Sequence, residues 1–560
     1  RDWYVPHDVN CEVQAFAAQD IKEEDIRFDY EAYEAKITAG PFVERKTMGF
    51  AEHAPIDAEP EFECVSDIYE YFNARGYATV LCGGLGTRGS EGFTLTGSRE
   101  EVLAFKAVID WLNGRCRAFT DMTQNIEIKA SWCSGNVAMT AKSYLGTMCI
   151  GVATTGVEGL KTIIPEAAIS NWYAYYRVGG LNLPAMGWQG DDLDILAKYC
   201  FSRAKDAADY AKVKEAYDAA LAALVRGEDR ASGNYNRFWD ERNYLNLVDK
   251  IKASVFIVHG INDWNVKTNQ CVPFFRELEK RGIPVKMMLH QGQHIYIHKL
   301  RDSHMLEILE RWLEHYLKGV DNGIENEPAV LVESCVDQSV WMCSDTWPPA
   351  DCREENFPIK AIGKKLIVDD LAKTVYDKEK DNLKEWLDEL VLRDEAEPLH
   401  RLKFVWDPFT EAAQTAAESL RISGTVKFSF DAAIDRETAI LSAMLVDLGE
   451  DCRITEEEIQ HPDGTYTFGL EKEPSAYKVI SRGWLNAQNR SCLWSKEKIV
   501  PGEFCHYEID MVPTDHVLAS GHKLALILYG IDAEETQRPD TVTNITVDTA
   551  SIRAAVPMLR

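Results

Sequence analysis

The stretch Val137-Ala138-Met139-Thr140-Ala141-Lys142-Ser143-Tyr144-Leu145-Gly146-Thr147 decides how this chain is read. A short strand pattern over 137–140 runs into Ser143, and small residues follow at Gly146, Gly151 and Ala153. A serine between a buried strand and a small-residue helix is placed as a nucleophile elbow. Small neighbours let the backbone turn sharply, the hydroxyl is pushed out above the sheet, and the next N–H faces the substrate oxygen. The strict Gly-x-Ser-x-Gly spacing is not met: Ala141 stands where the first glycine belongs, and Gly146 comes one position late. A helix-capping serine is the plain alternative.

Outward from this segment, strands and helices alternate. Residues 68–75 predict a short helix and Tyr77-Ala78-Thr79-Val80-Leu81 a strand, followed by the glycine-rich loop 83–92. That loop lacks the Lys-Ser/Thr ending of a phosphate-binding loop and reads as a structural connection. Val102, Phe105, Ile109 and Leu112 share one helical face that ends at Gly114. Residues 255–258 and 285–289 are continuous apolar strands, and Leu306, Leu309, Trp312, Leu313 and Tyr316 make an amphipathic helix. This grammar predicts an α/β domain over 61–325 with a mostly parallel sheet. Between Trp172 and Val248 strand signals vanish and 191–226 reads as helices, a cap inserted over the site. From 326 to 560 short strands alternate with turns such as Pro462-Asp463-Gly464, which predicts an antiparallel β-sandwich of the jelly-roll kind. Its strands are expected at 329–332, 402–406, 424–430, 439–446 and 524–528, with an acidic helical or looped insertion over 369–397.

A serine needs a base, and the chain has 13 histidines. Asp263 follows one predicted strand in His259-Gly260-Ile261-Asn262-Asp263-Trp264-Asn265-Val266, and His294 follows the next. Serine, then acid, then histidine, with acid and base on loops after successive strands, is the chain order of α/β-hydrolase triads. The spacing His290-x3-His294-x3-His298 invites a metal reading, but Gly292 breaks any helix that would stack the rings. No metal or cofactor is expected.

Composition narrows the partners. The net charge of −29 over 560 residues repels phosphate backbones, so nucleic acid is excluded. The 14 cysteines include no Cys-x-x-Cys pair and read as free thiols in a reducing compartment, which points to the cytoplasm. No apolar run reaches membrane-spanning length and no signal sequence opens the chain. Residue 1 is arginine, ahead of an acidic stretch, so residues 1–60 read as an extension with a processed or truncated start.

The motifs Gly86-Thr87-Arg88-Gly89-Ser90-Glu91-Gly92, Val108-Ile109-Asp110-Trp111-Leu112-Asn113-Gly114-Arg115, Lys142-Ser143-Tyr144-Leu145-Gly146-Thr147 and His259-Gly260-x2-Asp263-Trp264-Asn265-Val266 together resemble the Xaa-Pro dipeptidyl-peptidases. These are serine exopeptidases of the cocaine-esterase-like α/β-hydrolase group, and the resemblance runs from about residue 60 to the end. It implies Ser143 as nucleophile, Asp263 as acid, His294 as base and the Tyr144 N–H as oxyanion donor. It implies that Trp172, Tyr175 and Val266 line the proline pocket and that Trp188 walls the second pocket. Asp191, where the family usually carries Glu, and Asn265 would hold the substrate's free ammonium. The expected substrates are peptides with a free N-terminus and proline in second position, cleaved through an acyl-enzyme. An esterase or acylase of the same superfamily is the first rival, and a fragment inactive without a separate N-terminal chain is the second. Family habit implies a homodimer. The family also carries upstream sheet strands and a tyrosine oxyanion donor with no counterpart in residues 1–60, so those strands are expected from elsewhere.

Overall fold

The computed structural model describes residues 6–39, 44–52, 66–87, 89–184, 188–300, 304–360, 363–393, 400–409, 419–460 and 466–560. A six-stranded sheet organises the first half: β1 (Val137–Lys142), β2 (Leu160–Glu166), β3 (Ser254–Gly260), β4 (Val285–His290), β5 (Val330–Glu333) and β6 (Trp341–Ser344), which lie in that spatial order. β1 to β5 are parallel and β6 closes the far edge antiparallel. β3 is buried at every position, as its unbroken apolar run Val255-Phe256-Ile257-Val258 requires. β1 is only partly buried along its length, because it is the other edge of the sheet.

That edge corrects one expectation. Residues 77–81 form no strand; Tyr77 packs beside the helix Met305–Lys318 while residues 78–80 are exposed. The strand pattern there is real, but nothing described lies alongside it to complete a ladder. A second correction concerns the stretch 329–332. It was expected to open the sandwich, yet β5 pairs in parallel with β4 and so belongs to the first sheet. Its apolar alternation fits either sheet; the register Val330–Met287 decides it.

Helices flank the sheet as the periodicity predicts. α1 (Arg99–Leu112) buries Val102, Ile109 and Leu112 and is capped by Ser98, whose hydroxyl accepts the Glu101 N–H. α2 (Ser143–Ala153) follows β1 without a break. The insert after Trp172 carries helices α3 (Leu193–Cys200) and α4 (Ala207–Glu228), plus a two-residue hairpin at Arg177–Val178 and Leu181–Asn182 that the sequence did not signal.

The second half holds two antiparallel sheets. One orders Arg401–Trp406, Lys523–Tyr529, Ile440–Gln460 and Tyr466–Asn486; the other is built about the long strand Thr543–Leu559. Ile422, Phe428 and Val556 from one sheet and Leu441, Leu524 and Leu526 from the other share one core. Residues 424–430, expected as a single strand, divide into Ser419–Gly424 and Lys427–Ile434, with Gly424 at φ 141° between them. The acidic insertion contains the helix Leu383–Leu392. The turn Pro462-Asp463-Gly464 and residues 394–397 lie outside the described residues. Among the described residues no helix is long and apolar enough to cross a membrane.

Candidate functional site

Ser143 is the first residue of α2 and sits at φ +60°. A non-glycine residue in the left-handed region costs of order 1–3 kcal/mol, and surrounding packing must hold it there. Part of that packing is Gly146. A Cβ there would lie 2.5 Å from the Ala141 carbonyl oxygen and 3.0 Å from that of Glu166. The glycine that comes one position late in the motif is therefore the residue that lets the helix start press against β1 and β2. The Tyr144 N–H lies in the first turn of α2, where no preceding helical carbonyl reaches it. Its phenol donates to the buried Glu101 carboxylate at 2.8 Å, which also accepts the Leu95 and Gly97 N–H groups.

Asp263 and His294 come together after β3 and β4. His294 Nδ1 lies 2.7 Å from Asp263 Oδ2. The other oxygen of Asp263 accepts the N–H groups of Asn265 at 3.0 Å and Val266 at 2.9 Å. Burial would raise this carboxyl, but His294, His259 and the Val266 N–H bring it below its ordinary value. Asp263 is therefore a carboxylate that orients one ring nitrogen of His294, which leaves Nε2 as the nitrogen placed to serve as base. Among the described residues no hydrogen bond yet joins the Ser143 hydroxyl to His294; the serine's carbonyl accepts the Thr147 hydroxyl. Nucleophile–base contacts are often long before substrate binds.

The loop that carries His294 is held from four sides. Glu333 at the end of β5 accepts the Gln291 N–H at 2.6 Å, and buried Glu166 at the end of β2 accepts that of Ile297 at 2.8 Å. Lys142 Nζ donates to the His294 carbonyl at 3.3 Å. Glu456, from a strand of the second half, accepts the Gln293 N–H at 2.7 Å. Sequence reasoning missed Glu456: it follows His294 by 162 positions in an acidic run with no motif around it. The other two histidines of the spaced set do not join His294 on one ligand. His290 is buried and accepts the Gly292 N–H at 3.1 Å, and burial pushes its ring down to about 3.

The residues expected around the pocket form a continuous aromatic path. The Tyr144 and Trp172 rings meet edge to face at 5.2 Å, Trp172 and Tyr175 at 5.9 Å, and Tyr175 and Tyr176 at 4.5 Å. Gly97 makes room for Trp172, since any Cβ there would collide with the indole nitrogen. Tyr175 donates to Asn265 Oδ1 at 2.7 Å, which ties the cap to the Asp263 loop. Tyr176 donates to Asp191 Oδ2 at 3.3 Å. Val266 is wholly buried, and its carbonyl accepts from His259 Nε2 at 2.6 Å. Trp188 is 61% exposed, well apart in environment from the buried Trp172.

Asp191 is buried among acids. Burial first, and then neighbouring Asp192, push its carboxyl up to about 7. Asp192 is paired with Arg177 at 2.9 Å and Arg230 at 2.6 Å. Asp191 lines a small cavity of about 10 Å³ together with Val9, Asn182 and Arg230. The N-terminal segment closes this side: His7 N–H donates to the Gly190 carbonyl at 2.8 Å and the Val9 carbonyl accepts the Arg538 N–H at 2.7 Å.

Comparison with known proteins identifies the family. Residues 18–296 match the family described as X-Pro dipeptidyl-peptidase (S15 family), and residues 322–558 match the X-Pro dipeptidyl-peptidase C-terminal non-catalytic domain. The chain is 39% identical over 517 residues to the Xaa-Pro dipeptidyl-peptidase of Lactiplantibacillus plantarum, covering 87% of this chain and 62% of that one. It is 36% identical over 570 residues to that of Pediococcus pentosaceus, covering 95% and 68%. The chain thus spans about two thirds or less of the length of these curated relatives. Among solved structures, an α-amino acid ester hydrolase superposes with a TM-score of 0.58 at 16% identity, covering 88% of this chain and 87% of that one. An aminopeptidase from a marine sediment archaeon, Thaumarchaeota archaeon, gives 0.57 at 16% with the same coverage. At that identity the likeness shows the fold alone.

Proposed function

The chain belongs to the X-Pro dipeptidyl-peptidase (S15) family of serine peptidases, and from that premise we propose that it releases Xaa-Pro dipeptides from the free N-terminus of peptides. The observation that carries the reading is the elbow serine at φ +60° with an Asp263–His294 pair bonded at 2.7 Å on the loops after β3 and β4. Ser143 attacks the carbonyl of the penultimate proline. His294 Nε2 takes the hydroxyl proton, and Asp263 stabilises the imidazolium through Nδ1. The Tyr144 N–H donates to the developing oxyanion. His294 returns the proton to the leaving amine, and water then hydrolyses the acyl-enzyme by the same route. Trp172 and Tyr175 are the rings against which the substrate proline packs in this reading. Asp191 receives the substrate ammonium, with Asn265 beside Tyr175 on the same wall; Trp188 and Val266 remain secondary contacts.

The edge of β1, unpaired on one side among the described residues, supports a further element of the reading. A strand from outside these residues, on the same precursor or a separate chain, completes the sheet beside the elbow and brings the second oxyanion donor that the family resemblance implies. A homodimer and a cytoplasmic setting complete the proposal; the thirteen free cysteines among the described residues support the latter.

The test is a substrate panel. Gly-Pro and Ala-Pro p-nitroanilides are expected to be cleaved far faster than a simple aryl ester. Ser143→Ala is expected to lower kcat by about 10³–10⁶. Faster ester turnover that survives Ser143→Ala would refute both the substrate class and the nucleophile.

A further inference from the structure

A second nucleophile–imidazole–carboxylate set lies away from Ser143. Cys335, two residues beyond β5, places its Sγ 3.7 Å from His516 Nδ1. His516, on the strand Thr514–Ala519, sets Nε2 2.9 Å from Oδ2 of the buried Asp447. The Val517 N–H donates to the same sulfur at 3.3 Å. Asp447 also meets His522 Nδ1 at 2.9 Å and Arg453 Nη2 at 3.2 Å.

The arrangement favours transfer of the thiol proton to the ring. Asp447 fixes the proton on Nε2 and stabilises a positive imidazole, Nδ1 faces the sulfur, and the Val517 N–H stabilises a negative one. Burial opposes charge separation, and the Val517 carbonyl, 3.7 Å from Sγ, would accept from a neutral thiol. The charges prevail: burial pushes the thiol up, but His516, the Val517 N–H and Lys478 bring it below its ordinary value. His516 is pushed up to about 9 against its burial, by Cys335 and Asp447. The charged and titratable groups facing the pair are thus Asp447, His522, Arg453 and Lys478.

We propose that Cys335 and His516 form a thiolate–imidazolium pair and that Cys335 is a modification site for hydroperoxides, reacting as a two-electron nucleophile. The thiolate attacks one peroxide oxygen, the S–O bond forms and the O–O bond breaks. Sulfur is oxidised by two electrons to a sulfenic acid while the peroxide is reduced. The departing hydroxide, or the alkoxide of an organic hydroperoxide, takes the His516 Nδ1 proton and leaves as water or alcohol. Thirteen other cysteines in the chain allow an internal comparison, because Cys116, Cys343 and Cys452 are exposed and lack such a partner set.

The test is site-resolved alkylation of the intact 560-residue chain by iodoacetamide across pH 5–9.5, read by peptide mass spectrometry. The thiolate displaces iodide, so each rate follows its own thiolate fraction. Cys335 is expected to reach half-maximal rate at a lower pH than the three exposed cysteines, because His516 and the Val517 N–H favour its thiolate. His516→Gln is expected to move the Cys335 profile up to the exposed group, and dimedone is expected to trap the sulfenic acid at Cys335 first under limiting hydrogen peroxide. The wild-type profile needs no variant to fold. Cys335 titrating with the exposed cysteines, failing to react in the native chain, or oxidising after them would each overturn the proposal.

Discussion

Asp191→Asn tests the proposed ammonium clamp by removing its charge. The side chain keeps its size and an oxygen that accepts from Tyr176, so the change removes charge and little else. It also relieves repulsion from Asp192, so the fold is expected to be retained. Removing one partner of a buried ion pair costs about 3–5 kcal/mol, which at ~1.4 kcal/mol per decade is about 10²–10³ in affinity for a free ammonium. The acetylated substrate, which has no ammonium, is expected to be indifferent. The assay is therefore the ratio of kcat/KM for Ala-Pro p-nitroanilide to that for its N-acetyl form, in wild type and Asp191→Asn. Using the ratio cancels any titration of the triad. The pH dependence has a definite sign. In the free enzyme the Asp191 carboxyl stands at about 7, and a bound ammonium favours its ionised form. The ratio should then rise about tenfold per unit as pH climbs toward 7 and fall again as the substrate's α-amino group deprotonates at about 7.7–8.0, with the rise absent in Asp191→Asn. A wild-type ratio that Asp191→Asn leaves unchanged would show that this acid is part of the cap's internal charge network and that the ammonium is held elsewhere.

Other outcomes follow from the remaining geometry. A serine-directed phosphonate is expected to label Ser143 and no other serine, with labelling abolished by His294→Gln, as seen in the labelled peptide's mass. Glu456→Ala is expected to lower kcat about tenfold with little change in KM, since a hydrogen bond to a charged group contributes about 1.5–3 kcal/mol and this one positions the His294 loop. Glu456→Gln keeps an acceptor oxygen and should restore most of the rate; equal losses in both variants would remove Glu456 from a positioning role. Supplying the relatives' upstream segment in trans to the 560-residue chain is expected to raise kcat by about 10²–10³, the usual worth of one oxyanion donor. If the chain alone equals a full-length relative, the open β1 edge is not where the missing donor enters.

Much of the site was legible in the sequence because its parts are local. The elbow needs small residues within a few positions of a serine, and Ser143 to Gly146 supplies them. The acid and base follow runs too apolar to be anything but buried strands, so the order Ser143, Asp263, His294 already implied loops at one end of a parallel sheet. The two sheets of the second half announced themselves by alternation. What the sequence left open is what depends on pairing across long separations. Alternating apolar residues at 77–81 are a strand only if a neighbour offers hydrogen bonds, and 330–333 could have joined either sheet until its register with β4 assigned it. Glu456 reaches Gln293, Asp191 acquires its raised carboxyl from burial beside Asp192, and Cys335 meets His516 only because the folded chain places them together. Backbone turns and strand periods are written within a few residues of chain. Desolvation, charge coupling and ladder register are properties of neighbours in space, and only the tertiary structure chooses those neighbours.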